Sequence, residues 1–573
     1  MSGATTQVPS ESSTRSSSPF FSLDSAFQKT GPANARNSIW AYPLDNRNNF
    51  DNKYAPSITP GSSPPYTRQG SVVDLVQKPY TVFACLEPNG PYHVFSHRRK
   101  WAIVILIGIA GLFSGLSSNI YFPALDAIAK DFHVSLQAVS LTITSYLICQ
   151  AISPIIWGSL ADGLGRRPIY MASFGVYIIA NIALSFSPNY AVLLVFRGLQ
   201  AVGSASTVSI GNGVIQDITP SSERGSFISF YQAIRNFSIA VGPVLGGVLT
   251  KYLGFHAIFI FLLILSSLTL ASLVIFLPET MRTIAGNGTV PLRGIYQPLT
   301  ECFGAKSKHY TQDPPKQSPR LRVNLEMFTS PLKLLIQKDI LTNLFFGGVV
   351  YAIWSMVTSS TTGLLKDRFH LDETMIGLAY LPNGIGTIVG SAIVAKLMTR
   401  DFRACEDAYK SDNNLPDDYT IPTRAIPAGF PIEHARLRNL WWIVALFIAT
   451  VIGYGFSMSV PQSVSSRAGY IAVPLALQFL IAATSNAVFA ANQTLVSDLC
   501  PGKGASATAM NNLVRCSLGA VGVAVIDPTI QEMGPEYAFL TLAIVMACCA
   551  PLAALTWCFG QRWRVERMSK AKA

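Results

Sequence analysis

The sequence predicts an all-α membrane protein of twelve spanning helices, arranged as two six-helix halves related by pseudo-symmetry. Three observations lead there. Half of the 573 residues are hydrophobic and only 13% are charged, where a soluble chain of this length carries about a quarter. Mean hydropathy is +0.35. The apolar residues fall in blocks of roughly 20, enough to cross about 30 Å of hydrocarbon at 1.5 Å per residue. A short pattern also recurs at matching places in the two sets of six.

Taken in order, residues 1–100 are rich in Ser, Pro and Asn, as in ESSTRSSSPF and GSSPPY. They are expected to form a disordered cytosolic tail with serines available for phosphorylation. No apolar run lies there, so the first span is expected to serve as the targeting signal in place of a cleaved peptide. The N-terminal half, 101–278, holds spans near 101–123, 138–160, 168–187, 190–213, 227–250 and 255–277. A polar linker follows at 279–338. The C-terminal half, 339–560, holds spans near 339–363, 375–398, 439–457, 469–491, 505–526 and 537–559, with a polar insertion near 399–438. Residues 561–573 form a basic tail.

The loops set the orientation. HRRK (97–100), GRRP (165–168), SSERG (221–225), the basic linker and QRWRVERMSKAK (561–572) alternate with nearly uncharged or acidic loops. The positive-inside rule therefore predicts both termini, the linker and the insertion in the cytosol. This distribution accounts for the net charge of +12 without a nucleic-acid partner, because the basic residues mark topology and form no groove. The nine cysteines sit in spans or predicted cytosolic segments. No disulfide is expected there, and none has metal-ligand spacing. Phosphate-loop and zinc-protease patterns do not occur in the chain, so neither an enzyme nor an ATP-driven pump is predicted, and no cofactor or metal is called for.

The recurring pattern contains a charge. Span 5 reads Ile234-Arg235, four residues, then Ala240-Val241-Gly242; span 11 reads Val514-Arg515, four residues, then Ala520-Val521-Gly522. An arginine inside a spanning helix costs about 3 kcal/mol on insertion scales. At 100° per residue, Arg235 shares a face with Tyr231, Gln232, Ser238 and Gly242, and Arg515 with Asn511, Asn512, Gly519 and Gly522. Both faces are polar or small, so both are expected to look inward. Repeat symmetry sets the arginines opposite each other near the midplane. The acidic residues of the spans sit toward helix ends: Asp162, Asp217, Glu223 and Asp498 at one, Asp126, Asp372 and Asp527 at the other. Two readings follow. Either neutral groups such as Asn119, Gln150 and Gln232 satisfy the arginines, or the substrate supplies the negative charge through bidentate, charge-assisted bonds.

Several motifs carry a family resemblance over roughly residues 90–560. GSLADGLGRRPIY, with Gly158, Asp162, Gly165, Arg166 and Arg167, resembles the loop 2–3 signature of the major facilitator superfamily, although Gly163 stands where that family has arginine. The resemblance implies a cytosolic gate formed by Asp162, Arg166 and Arg167, joined by Asp217 and Arg224; the competing reading is a plain topogenic loop. LLVFRGLQAVGSAS resembles the superfamily's proton-linked signature through Arg197, Gln200 and Gly203. It implies substrate or proton contact, against the alternative of an arginine snorkelling to the interface. VGPVLGG resembles the antiporter signature with Gly242, Pro243, Gly246 and Gly247, implying an exporter; generic glycine packing is the alternative. NIYFPALDAIAKDF resembles the fungal twelve-span drug:proton antiporter branch, with Asp126 where that branch usually has proline. More narrowly, YHVFSHRRKW, GLFSGLSSNIYFPALDAIAKDF and NNLVRC resemble fungal exporters of citrate and related carboxylates.

These readings together predict a secondary exporter of small organic anions at the plasma membrane, acting as a monomer by alternating access. Arg235 and Arg515 are expected to clamp carboxylates with Arg197 and Gln200 assisting. Asn119, Gln232, Asn236, Asn511 and Asn512 are candidate hydrogen-bonding neighbours. A multidrug:proton antiporter and a non-transporting nutrient sensor on the same fold are the alternatives. Drive by membrane potential and coupling to protons both stay open.

Overall fold

The computed structural model describes residues 93–570 except 220, 289, 291, 301–328, 330, 417–420, 422–425, 466–468 and 501–503; the side chains of 221–226, 462, 504 and 505 are likewise not described. The expected 1–100 tail lies outside these residues up to position 92.

The first half contains α1 (His97–Asn119), α2 (Leu136–Leu164), α3 (Arg166–Ser185), α4 (Tyr190–Ile218), α5 (Ser221–Leu253) and α6 (His256–Phe276). The second contains α7 (Lys338–Phe369), α8 (Leu381–Asp412), α9 (Leu440–Ser459) and α10 (Ala472–Leu499), then one continuous helical stretch, Gly504–Lys570. That stretch breaks at Gly534, whose φ of 79° and ψ of 159° are open to glycine but strained for other residues. The break divides it into α11 (504–533) and α12 (535–570), so the eleven long apolar helices found among the described residues comprise twelve spans. No strand occurs among the described residues.

Local chemistry fixes the ends of these helices. Ser96, Ser135 and Asn189 cap α1, α2 and α4, each side chain accepting from an amide of the first turn, a contact that contributes about 1 kcal/mol. Gly165, at φ 104°, makes the tight reversal between α2 and α3. Helix α8 runs to Asp412, well past the apolar block that ends near 398. Polar helix formers in TRDFRACEDAYK carry it on, with Lys410 pairing to Glu406 one turn back. At the start of the described chain, Val94 N–H donates to the Asn287 carbonyl at 3.0 Å. Burial and the nearby Arg282, Lys100 and Arg99 push the His93 imidazole down to about 4. His93 is therefore neutral at pH 7.

Each half packs as a bundle, and two seams join them: α2 against α11, and α5 against α8 together with the short helix Glu373–Ala379. The seams are repeat-equivalent, since α2 corresponds to α8 and α5 to α11. Small residues permit the second one. A Cβ on Gly377 would come 2.6 Å from the Pro243 carbonyl oxygen, and a Cβ on Gly384 would strike the Ala240 backbone. Gly246 lies likewise against the Ile120 carbonyl of α1. These approaches suit helix association in lipid, where van der Waals packing replaces the hydrophobic effect as the driving force.

Candidate functional site

Arg235 on α5 and Arg515 on α11 lie within electrostatic range of each other, and each is half-buried. Their arrangements repeat. Arg235 Nη1 donates to Oε1 of Gln232, three residues earlier; Arg515 Nη2 donates to Oδ1 of Asn512, also three residues earlier, at 2.9 Å. Arg515 also stacks over the Tyr351 ring at 4.5 Å, and its buried Nε has no partner. Among the described residues neither guanidinium is paired with a carboxylate. Two cations within electrostatic range of each other, each hydrogen-bonded to a neutral amide, have no carboxylate among the described residues to compensate their charge.

The other predicted site residues divide. Asn512 bridges the halves, its Nδ2 donating to the Gln150 carbonyl at 2.7 Å. Asn511 turns away into the second half, donating to Gln493 at 2.5 Å. Asn119 donates to the Gly115 carbonyl of its own helix and lies against Gly242. Tyr231 is buried inside the first half, with its hydroxyl on the Thr207 carbonyl. Asn236 is half-buried, one position round from Arg235.

Arg197 and Gln200 are not gathered with this pair. Arg197 is 1% exposed, which excludes the snorkelling reading. It lies between the rings of Tyr121 and Tyr146, at 4.0 and 4.7 Å, and donates to Gln200 Oε1 at 2.5 Å and to the Ser117 carbonyl at 3.1 Å. Gln200 donates in turn to Asn181 at 2.7 Å. The network is closed within the first half. Two tyrosines, one from α2 and one from the α1 end, enclose this arginine. Tyr351, Tyr121, Tyr146 and Gln493 were not singled out from the sequence, since a lone aromatic or amide in an apolar helix has no periodic signal.

At the end bearing Gly165, Arg166 bridges two carboxylates: Asp162 at 2.6 Å and Asp217 at 3.0 Å. Gly213 gives it room, since a Cβ there would sit 2.7 Å from the guanidinium carbon. Arg167 is 3% exposed and donates to the carbonyls of Val274, Leu277 and Ile295, while the Glu279 carboxylate receives the backbone amides of Arg166 and Arg167. Gly158 lies beside Ser209 of α4; the side chain of Arg224 is outside the described residues. The ion pairs of Asp162, Arg166 and Asp217 all lie within the first half. The ion pairs Arg436–Asp498, Arg564–Glu433 and Arg567–Asp339 at this end stay inside the second half.

Pairing across the halves occurs at the opposite end. Lys366 at the end of α7 meets Asp126, Lys251 of α5 donates to Asp372 at 2.5 Å, and Thr362 donates to the Phe122 carbonyl at 2.9 Å. The Lys251 contact holds the Asp372 carboxyl below the usual carboxylate range. Gly247 lies against the Glu373 carbonyl. This end is the closed one, and opening it requires these contacts to part. Asp126→Asn is expected to raise the labelling rate of a cysteine placed in the α2–α11 seam by about fivefold, the equivalent of ~1 kcal/mol for a partly buried pair. The reversed pair, Asp126→Lys with Lys366→Asp, is expected to restore the slow rate.

Comparison with known proteins agrees with this architecture. Residues 107–523 match the Major Facilitator Superfamily. The chain is 42% identical over 529 residues to Citrate exporter 1 of Aspergillus niger, covering 92% of this chain and 98% of that one. It is 30% identical over 476 residues to Multidrug transporter QDR2 of Candida glabrata, covering 80% of each. Among solved structures, the human organic anion transporter MFSD10 superposes with a TM-score of 0.50 at 14% identity, over 79% of this chain and 99% of that one, a likeness of fold. Twelve spans in two equivalent halves, one end sealed by pairs across the halves, and a family match over most of its length lead to one conclusion: the chain belongs to the Major Facilitator Superfamily and is a membrane transporter.

Proposed function

We propose that this transporter exports small organic anions, di- or tricarboxylates of the citrate kind, from the cytosol across the plasma membrane by alternating access. One observation carries the reading. Arg235 and Arg515, one from each half, lie within electrostatic range of each other, and each is hydrogen-bonded to a neutral amide. Gln232 and Asn512 orient the guanidiniums but cancel no charge; a ligand with two carboxylates would cancel both. The likeness to a protein named Citrate exporter 1 supports the same substrate class. The alternating loop charges support placing the Gly165 end and both termini in the cytosol. With the cytosol electrically negative, each negative charge that leaves gains about 2.3 kcal/mol per 100 mV.

The likeness to a protein named as a multidrug transporter favours a second reading, efflux of diverse drugs. One experiment separates the two. Overproducing the protein in a fungal host is expected to raise extracellular citrate several-fold and leave drug sensitivity unchanged. Unchanged secretion with a shift in drug resistance would replace the first reading by the second.

A further inference from the structure

At the closed end, one carboxylate lies on the seam between the halves with a hydroxyl, and no cation among the described residues, as its partner. Asp527 on α11 accepts a hydrogen bond from the Ser140 hydroxyl of α2 at 2.5 Å, across the seam between the halves. No charged side chain of α2, α7 or α12 acts on it. The cations nearby are engaged elsewhere: Lys366 and Lys130 with Asp126, Lys251 with Asp372, and Arg368 with the Val460 carbonyl. Glu536 is bonded to Ser459. The neighbouring contact on the same seam, from Thr144 Oγ1 to the Ala520 carbonyl at 3.4 Å, is also between neutral groups. Among the described residues, the other carboxylates that bridge the halves at this end, Asp126 and Asp372, each have a lysine.

The difference matters when the seam opens and closes. An ion pair buried by closure brings its own compensation, whereas closure around a lone carboxylate strips its water for one hydroxyl. Neutralising the carboxyl removes most of that cost, and Ser140 can donate to the neutral form as well.

We propose that Asp527 is a proton-binding site of the outer gate: a proton from the external medium neutralises its carboxyl while this end is open, and closure then buries the neutral group against Ser140. The O–H bond forms at one Asp527 oxygen. The proton returns to the same side on reopening, so the site gates the carrier without moving net charge. An exporter that has released its anion must close this end to return, so external acid speeds the return step. Protonation of Asp126 and Asp372 has the opposite sign, because it breaks pairs that hold the end shut. The Asp527 contribution therefore has to be read as a difference between variants.

The inference rests on the orientation proposed above and not on the identity of the substrate. The test uses the full chain in intact cells, in a background with the nine native cysteines replaced. Thr144→Cys reports the seam, and an impermeant thiol reagent is added outside without substrate. The ratio of labelling rates, parent over Asp527→Asn, cancels the reagent's own response to pH. The ratio is expected to be roughly tenfold at pH 7, the effect of one unit of difference in proton affinity between open and closed states. It should fall toward one at pH 4. Ser140→Ala removes the donor to the ionised carboxylate in the closed state, so the labelling ratio of Ser140→Ala over Ser140→Ala with Asp527→Asn should exceed the parent ratio at pH 7 and still fall toward one at pH 4. A ratio that stays flat across this range overturns the proposal, as does a pH 7 ratio that Ser140→Ala leaves unchanged. Tyr252→Cys, 70% exposed at the same end, labels from outside only if the orientation holds, so failure of that reading is seen separately.

Discussion

Arg235→Gln is expected to lower citrate export by on the order of 100-fold while leaving the protein at the membrane in normal amount. A hydrogen bond between charged groups is worth about 1.5–3 kcal/mol, and a bidentate guanidinium contact supplies two of them. The substitution also removes half of the positive charge that makes an anion welcome in a desolvated seam. Folding should be spared, because Arg235 has no carboxylate partner to orphan; its bond is to Gln232. Arg515→Gln should behave alike, with an added loss of the contact to Tyr351. Arg235→Lys keeps the charge but presents a point donor in place of a fork, so an intermediate loss of about tenfold is expected. Transport of radiolabelled citrate into inside-out vesicles gives the readout, with protein level measured by immunoblot. Full export by Arg235→Gln would remove the clamp from the proposal.

The contrast between Arg235 and Arg197 shows what the sequence made legible. Both are arginines inside apolar blocks, and both were assigned to one substrate site. Arg235 reads as inward-facing because its neighbours at helical spacing are polar or small and because a second copy of the pattern surrounds Arg515. Arg197 has no such copy. Its surroundings come from Tyr121 and Tyr146, distant in sequence, and only the packing of α1, α2 and α4 shows that they enclose it. Fold and span count were legible for a simple reason: in lipid every backbone group must be satisfied within its own segment, so length and hydropathy decide the element. Polar continuations were less legible. Past position 398 the apolar signal of α8 stops, yet helix propensity and the Glu406–Lys410 pair continue the element to Asp412. Pairings across the halves, such as Lys366 with Asp126 or Ser140 with Asp527, join residues hundreds of positions apart and leave no local trace. The position of Asp126 was still a clue, since it is the residue that departs from the related branch.

Arg166→Ala is expected to destabilise the first half by about 3–5 kcal/mol, the cost of leaving a buried carboxylate without its partner. The two acids that Arg166 holds are not equivalent. The Asp162 side chain is 48% exposed and the Asp217 side chain only 14%. Asp162→Ala should therefore cost below about 1 kcal/mol, as exposed pairs do. Most of the penalty in Arg166→Ala arises at Asp217, which closes the site from α4 and can draw little on water. Neutralising that residue in the same molecule should recover the larger part of the loss, so Arg166→Ala with Asp217→Asn is predicted to be more stable than Arg166→Ala alone. Arg166→Lys should fall between, because one ammonium cannot span both acids from the pocket over Gly213. Thermal unfolding in detergent, followed by the loss of the monodisperse peak, would place the four variants in order. An Arg166→Ala protein that melts with the parent would show that water reaches Asp217 and that the bridge adds little to the fold. If instead the double variant melts lower than Arg166→Ala, the charge of Asp217 has a second partner in the folded half. The predicted order follows from one arginine that bridges acids of α2 and α4 beside the turn that Gly165 makes.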